Sequence, residues 1–496
     1  MVKPMQVKPQ FTFEQVRHDT DNDIHLVLSL TAPKGDWQAK RPPLCIIPVL
    51  DISGSMGGAK LEYAKQSLLK LVEHLSSDDY LGLVSFSSNA RVDAKPEKVT
   101  AERKEALKAL IGRYRTEGST NFSGGMLLGL DLANKLDLPE ATLVRVIMFT
   151  DGQPTHGVTD AKGLCDLLDK QVGRASVSAF GYGTDACQDL LQNLSTKGKG
   201  NYAFVRDPDA ALAAFGKELG GLLSTYAQDI VIELAPHNGH QITEILSDAD
   251  VEEETTGEVQ VKVPHLLSEE TYNLVLAMKL STQKHPGPRQ VNAVGVKVRY
   301  QVLDTNGKLI EKVEEANAKI QFVKSGEEQK TATKEVDEIV ARAQLVRAQI
   351  EAEKQAQLGN FGGAQAGLQD FQKGVQSRGL VGVAAVSAHI GDMYASPGAY
   401  TARAGNRAGM LRAMTRGTST SGMAAEDQAV LHTANYVVSN PAQEEMSRSF
   451  QADPVGTVPP LDGGGGSPIL VAPPAVPLTP PTSPKSKLGK SRSKRW

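Results

Sequence analysis

Cys45-Ile46-Ile47-Pro48-Val49-Leu50-Asp51-Ile52-Ser53-Gly54-Ser55 is the stretch on which the fold turns. Its first six residues form a continuous apolar run, the mark of a strand buried on both faces. The residues after it have a different period. Leu61, Ala64, Leu68, Leu71, Val72 and Leu75 carry the spacing of a helix with one apolar stripe. The alternation continues downstream. Residues 80–86 predict a strand, 101–111 and 122–136 helices, 144–149 a second wholly apolar strand and 164–172 a helix. A third central strand is expected at 177–180, with helices near 187–194 and 208–223. Parallel strands need such crossovers, so residues 43–225 predict a doubly wound, mostly parallel α/β sheet. In that architecture ligands bind beyond the carboxyl ends of the strands.

The flanks follow another rhythm. Residues 8–32 read as two strands, the second alternating over 24–30, before Gly35 and Pro42-Pro43 punctuate the chain. After Ser224 the period becomes two, with strands expected at 229–234, 258–263, 272–280 and 294–302. Residues 226–325 therefore predict a β-sandwich. Residues 1–42 are expected to join it, which makes the α/β domain an insertion. From Thr333 a helix places Val336, Ile339, Ala343, Val346 and Ile350 on one face, and a turn at 360–363 leads into a second helix. This helical hairpin, 333–378, resembles a single tetratricopeptide-like unit. Residues 380–452 are expected to be flexible with a short helix at 425–438. Residues 453–496, rich in Pro and Gly and basic at the end, are expected to be disordered.

Length and composition bound the function. A chain of 496 residues exceeds one ordinary core. With 40% apolar and 22% charged residues it has the balance of a soluble globular protein. A net charge of −3 gives no overall pull toward nucleic acid or acidic membrane. Cys45, Cys165 and Cys187 lack any paired spacing, which predicts a reducing compartment and no disulfide framework. The N-terminus has no signal-peptide pattern, and no run approaches the roughly 20 apolar residues of a membrane span. The expectation is a cytoplasmic or nuclear protein.

Three segments converge on one chemistry. The first buried strand ends in Asp51-Ile52-Ser53-Gly54-Ser55, a loop before a helix reads Gly118-Ser119-Thr120-Asn121, and the second buried strand ends in Thr150-Asp151-Gly152. All three lie where a doubly wound sheet puts its ligands. Two carboxylates and three hydroxyls are hard donors that suit Mg²⁺, Mn²⁺ or Ca²⁺ and serve zinc or copper poorly. Taken singly, an Asp or Ser at a strand end more often caps the next helix. Taken together, the three favour a metal.

These residues resemble the metal-ion-dependent adhesion site of von Willebrand factor A domains: Asp-x-Ser-x-Ser, a distant Thr and a later Asp-Gly. The resemblance covers about residues 43–224. It implies Ser53, Ser55 and Thr120 as direct ligands, and Asp51 and Asp151 as direct or water-mediated carboxylates. It further implies an adhesion-type, non-enzymatic module in which a partner's Asp or Glu replaces a water on the ion. With its flanking sandwich the chain is similar to intracellular A-domain proteins and to the domain pairing of inter-α-trypsin-inhibitor heavy chains.

Other readings stand beside this one. A metal-dependent phosphatase would use Asp51 as nucleophile, but Ser53 occupies the place of its general acid. A purely structural A-domain and an ATPase-regulating subunit are further alternatives. Gly181-Tyr182-Gly183-Thr184-Asp185-Ala186 fits a relaxed dinucleotide pattern on the wrong strand and reads better as a turn. Gly54 to Lys60 lacks the spacing of a phosphate loop. His156 reads as an exposed loop residue. The basic end, Lys485 to Arg495, suits an acidic partner or an import receptor, with Thr479-Pro480 and Ser483-Pro484 as phosphorylation sites upstream. No small-molecule substrate is expected, and the helical hairpin leaves room for self-association.

Overall fold

A computed structural model describes residues 3–34, 41–151, 153–183, 187–205, 208–247, 250–253, 258–283, 288–304, 307–402 and 440–452, with residues 410, 414, 430 and 431. At its centre is a six-stranded sheet with β4 (Leu44–Asp51) and β7 (Leu143–Thr150) side by side. Outward from β4 lie β5 (Tyr80–Phe86) and β6 (Ala90–Lys98), and outward from β7 lie β8 (Ser176–Tyr182) and β9 (Lys199–Val205). All neighbours are parallel except β5 and β6. Every residue of β4 is buried, as its unbroken apolar run requires. Pro48 has no N–H to give a ladder, and the β4–β5 pairing passes from Ile46↔Leu81 to Val49↔Val84.

Helices cover both faces. Helices α1 (Ala59–His74), α2 (Ala101–Arg113) and α6 (Pro208–Leu223) bury Leu68, Ile111 and Phe215 on one side. On the other side α3 (Phe122–Lys135), α4 (Ala161–Gln171) and α5 (Gln188–Lys197) bury Met126, Leu168 and Leu191. The expected doubly wound sheet is the observed one. The edge strands β6 and β9 were not anticipated, since β6 is half exposed and highly charged.

The remaining strands form a sandwich. One sheet runs β1 (Gln6–Phe11), β3 (Asn22–Thr31), β14 (Thr271–Leu280) and β11 (Gln241–Ile245). The other runs β12 (Asp250–Glu253), β13 (Val259–Leu267), β10 (Thr225–Pro236), β15 (Arg289–Leu303), β16 (Leu309–Val323) and β2 (Gln15–Arg17). Strands from before the α/β insertion thus sit in both sheets, and Leu26, Leu28, Ile232 and Val298 share the core between them. Val27 points the opposite way to Leu26 and Leu28 and is still buried, because α7 (Lys334–Gln357) lays Val336 and Val340 over it.

Beyond α7 the hairpin expectation needs correction. After α8 (Phe361–Ser377) come α9 (Val381–Met393) and α10 (Pro397–Ala402), where residues 380–452 were expected to be flexible. Val383, Val386, Ile390 and Met393 are buried against α7 and α8, and Ser387 Oγ donates to the Leu368 carbonyl at 2.9 Å. Small residues misled the reading; in a helix they allow close packing. A further helix, α11 (Pro441–Ala452), was not foreseen. It lies on α6 at Gly216 and Gly220, where an added Cβ would come within 2.8 Å and 2.7 Å of α11 backbone atoms. Phe450 stacks on His74 with ring centroids 4.6 Å apart. The short helix expected at 425–438 falls almost entirely outside the described residues, as does the tail 453–496.

Where the α/β domain, sandwich and α11 meet there is a small cavity of about 40 Å³, lined among others by Arg145, Glu218, His265, Glu270 and Gln443. Glu270 accepts from the Leu267 amide at 2.7 Å, and burial pushes its carboxyl from 4.5 up to about 7. The folded protein then holds a proton that the unfolded chain has released between those two values. Stability should therefore fall as pH rises from about 4.5 to 7 and level off above. Urea unfolding of Glu270→Gln across this range is expected to lack that component of the slope; an unchanged profile would refute the assignment to Glu270.

Candidate metal centre

Asp51 is the last residue of β4 and Thr150 the last of β7. Because Leu50 pairs with Phe149, the two residues stand level, and Thr150 Oγ1 donates to Asp51 Oδ2 at 2.6 Å. The other oxygen, Oδ1, accepts the Ser53 amide at 2.8 Å and so folds the chain back over the strand end. Asp51 is fully buried. Burial pushes its carboxyl up to about 6, against the hydrogen bonds from Ser53 and Thr150, while the negative charge of Asp151 adds to the rise.

The capping explanation of the two serines does not hold. Ser53 precedes a short 3-10 turn, Gly54–Met56, and makes no side-chain cap bond; α1 is entered through Gly58, which has none to make. The Ser53 and Ser55 hydroxyls instead lie 3.1 Å from each other. Ser53 is buried and Ser55 exposed, so the pair runs from the floor of the site to its mouth.

The second loop is laced to the first. The Gly54 amide donates to the Gly118 carbonyl at 3.2 Å and the Glu117 amide to the Ile52 carbonyl at 2.6 Å. Gly118 has φ +66°, and a Cβ there would lie 2.6 Å from Ser88 Oγ, so glycine is needed at this crossing. Asn121 caps α3 by accepting the Gly124 amide at 3.0 Å. Thr120, just before it, is buried; its amide donates to Thr155 Oγ1 at 2.9 Å, and its carbonyl accepts the amides of Thr155 and His156. The loop after Asp151 therefore grips the threonine by its backbone and leaves the hydroxyl to other uses. His156 contributes this amide, and its residue is exposed.

Asp151 is also fully buried, and its Oδ1 has no hydrogen-bond partner. Its Oδ2 lies 3.4 Å from Lys60 Nζ. An unpartnered buried carboxylate oxygen is costly unless a cation or donor meets it. With Asp51, Ser53, Ser55 and Thr120 around the same strand ends, the set fits a hard divalent ion. Among the described residues no three His, Cys, Asp or Glu side chains cluster to hold a metal; the candidate set here is two carboxylates and three hydroxyls. Gly152 and Thr184 to Ala186 lie outside the described residues. Lys60, Thr150 and Thr155 were not singled out from sequence. Lys60 carried a signal, since a lysine in the first turn opposes the positive end of its helix.

Residues 46–217 match the model of the von Willebrand factor type A domain. The chain contains such a domain, a kind that commonly serves protein–protein interaction. Over 280 residues it is 28% identical to "Uncharacterized protein sll0103" of Synechocystis sp., covering 54% of this chain and 64% of that one. Over 213 residues it is 31% identical to inter-alpha-trypsin inhibitor heavy chain H1 of Sus scrofa, covering 40% of this chain and 24% of that one. The chain thus spans under two thirds of the first relative and about a quarter of the second. Among solved structures it is similar to a von Willebrand factor type A protein from Catenulispora acidiphila, with TM-score 0.60 and 16% identity over 77% of this chain and 89% of that one. The ArnB paralog VWA2 from Sulfolobus acidocaldarius matches with TM-score 0.50 and 15% identity, over 80% and 98%. These two bear on the fold alone.

Proposed function

We propose that the chain is a metal-dependent interaction module, in which Asp51, Ser53, Ser55, Thr120 and Asp151 hold one Mg²⁺, or Mn²⁺ or Ca²⁺, that a partner protein's Asp or Glu carboxylate completes. The observation that carries this reading is the buried, unpartnered Asp151 Oδ1 at the end of β7, with the serine hydroxyls at the end of the neighbouring β4 capping nothing. A bound ion would supply a fixed positive charge for the visiting carboxylate. The protein's own part is to hold two carboxylates dry, to aim the hydroxyls, and to leave Ser55 at the surface where a partner can approach.

The phosphatase alternative finds little support. Both Asp51 oxygens are engaged, one by an amide and one by a hydroxyl, and the residue has no exposed surface for attack on a substrate. The test is retention of partners from lysate on the immobilised full chain in Mg²⁺, followed by EDTA. A partner released by EDTA, and lost when its contacting Asp or Glu becomes Ala, is the expected result. Partners that remain bound in EDTA would leave a structural domain, with the ion serving at most to stiffen the loops.

A further inference from the structure

We infer that Lys60 is a tethered counter-ion of the metal centre, which neutralises Asp151 in the absence of metal and lowers the affinity of the site for divalent cations. The inference rests on the metal-binding reading above and adds a regulator to it.

Lys60 is the second residue of α1, and its first turn already presents the partial positive charge of a helix N-terminus. A lysine there gains nothing from its own helix. Its ammonium instead reaches Asp151 Oδ2 at 3.4 Å, with the lysine side chain 13% exposed and the aspartate 0%. Of the two buried carboxylates, Asp51 is held by an amide and a hydroxyl, whereas Asp151 is ion-paired, among the described residues, with Lys60. Two carboxylates and one ammonium sum to −1, and a divalent ion takes the group to +1. Without the ammonium the same ion would bring −2 to neutrality. The lysine and the metal are therefore competing cations at one carboxylate, and at short range in a poorly solvated site their repulsion is strong. The positioning role and the charge role differ in sign. If Lys60 merely held Asp151 in place, its loss would weaken metal binding; if it competes, its loss strengthens it.

The experiment uses the full chain, MgCl₂ alone as titrant in isothermal calorimetry, and thermal melts in EDTA and in Mg²⁺. Lys60→Met and Lys60→Gln are expected to bind Mg²⁺ roughly tenfold or more tightly than the parent. They should melt lower in EDTA and gain more from Mg²⁺, and Lys60→Arg should keep parental affinity. Binding in the variants that is equal to the parent or weaker would overturn the role of Lys60 while leaving the metal site standing. Mg²⁺ binding by the variants but not by the parent would support it in its strongest form. No binding by any of the four proteins would overturn the metal reading itself, and the inference with it.

Discussion

Replacing Ser53 and Ser55 together by alanine is expected to abolish Mg²⁺-dependent partner capture and leave the fold intact. The two hydroxyls bond to each other, and neither caps a helix. The turn itself is held by the Ser53 amide on Asp51 and the Gly54 amide on Gly118, which alanine preserves at Ser53 and does not touch at Gly54. Stability should therefore change by about 0.5–1.5 kcal/mol, the net worth of the one hydroxyl–hydroxyl bond that is lost. In the proposed site an ion would lose two of its three hydroxyl ligands, and even an outer partner of a metal ligand is worth roughly 10–100-fold in affinity. Calorimetry should show Mg²⁺ binding weakened beyond that range. Unaltered Mg²⁺ binding with an unaltered melting temperature would remove the serines from the site.

The largest stability effect is expected at Arg145, on β7 beneath the site. Its side chain is 5% exposed and its Nε lies 3.5 Å from Glu218 Oε1, itself 4% exposed, on α6. At that distance the pair works by charge neutralisation more than by a hydrogen bond. Glu218 also accepts from Ser178 Oγ at 2.7 Å and Asn201 Nδ2 at 2.6 Å, so α6 is tied to β8 and β9 as well. Arg145→Met leaves the glutamate buried without its cation, and loss of one partner of such a pair costs about 3–5 kcal/mol. Arg145→Met with Glu218→Gln should recover much of this, since glutamine removes the buried charge while its one carbonyl oxygen still accepts from Ser178 or from Asn201. Urea unfolding of both singles and the double gives the coupling. Equal destabilisation by Arg145→Met and the double variant would mean that packing, not charge, sets the cost.

How much of this was legible follows from what each segment buries. The wholly apolar 45–50 and 144–149 announced central strands because both faces meet helices, and the site residues fall at their ends for the same reason. The edge strand β6 reads Ala-Arg-Val-Asp-Ala-Lys-Pro-Glu-Lys, with little burial to shape its pattern. Helix α9 was hidden by small residues, although Val383, Val386 and Ile390 did carry a helical stripe. Helix α11 is recognisable mainly from its partner, since Gly216 and Gly220 look like weak points of α6 until a second backbone lies on them. At the candidate site, residue types and order singled out Asp51, Ser53, Ser55, Thr120 and Asp151, whose segments lie at the ends of β4 and β7 and in the loop laced to them. The salt bridge from Lys60 and the hydroxyl of Thr150 depend on which side chains face each other across strand ends, and spacing alone does not encode that.

Crystals of the full chain grown with Mn²⁺ would bear most directly on the account, because anomalous scattering locates that ion without reference to its ligands. The expected result is one peak at the ends of β4 and β7 within bonding distance of Ser53 Oγ, Ser55 Oγ and Thr120 Oγ1, with Asp51 and Asp151 binding it directly or through water. Full data at saturating Mn²⁺ with no peak there, or with Lys60 still paired to Asp151 and the ion bound elsewhere, would contradict it.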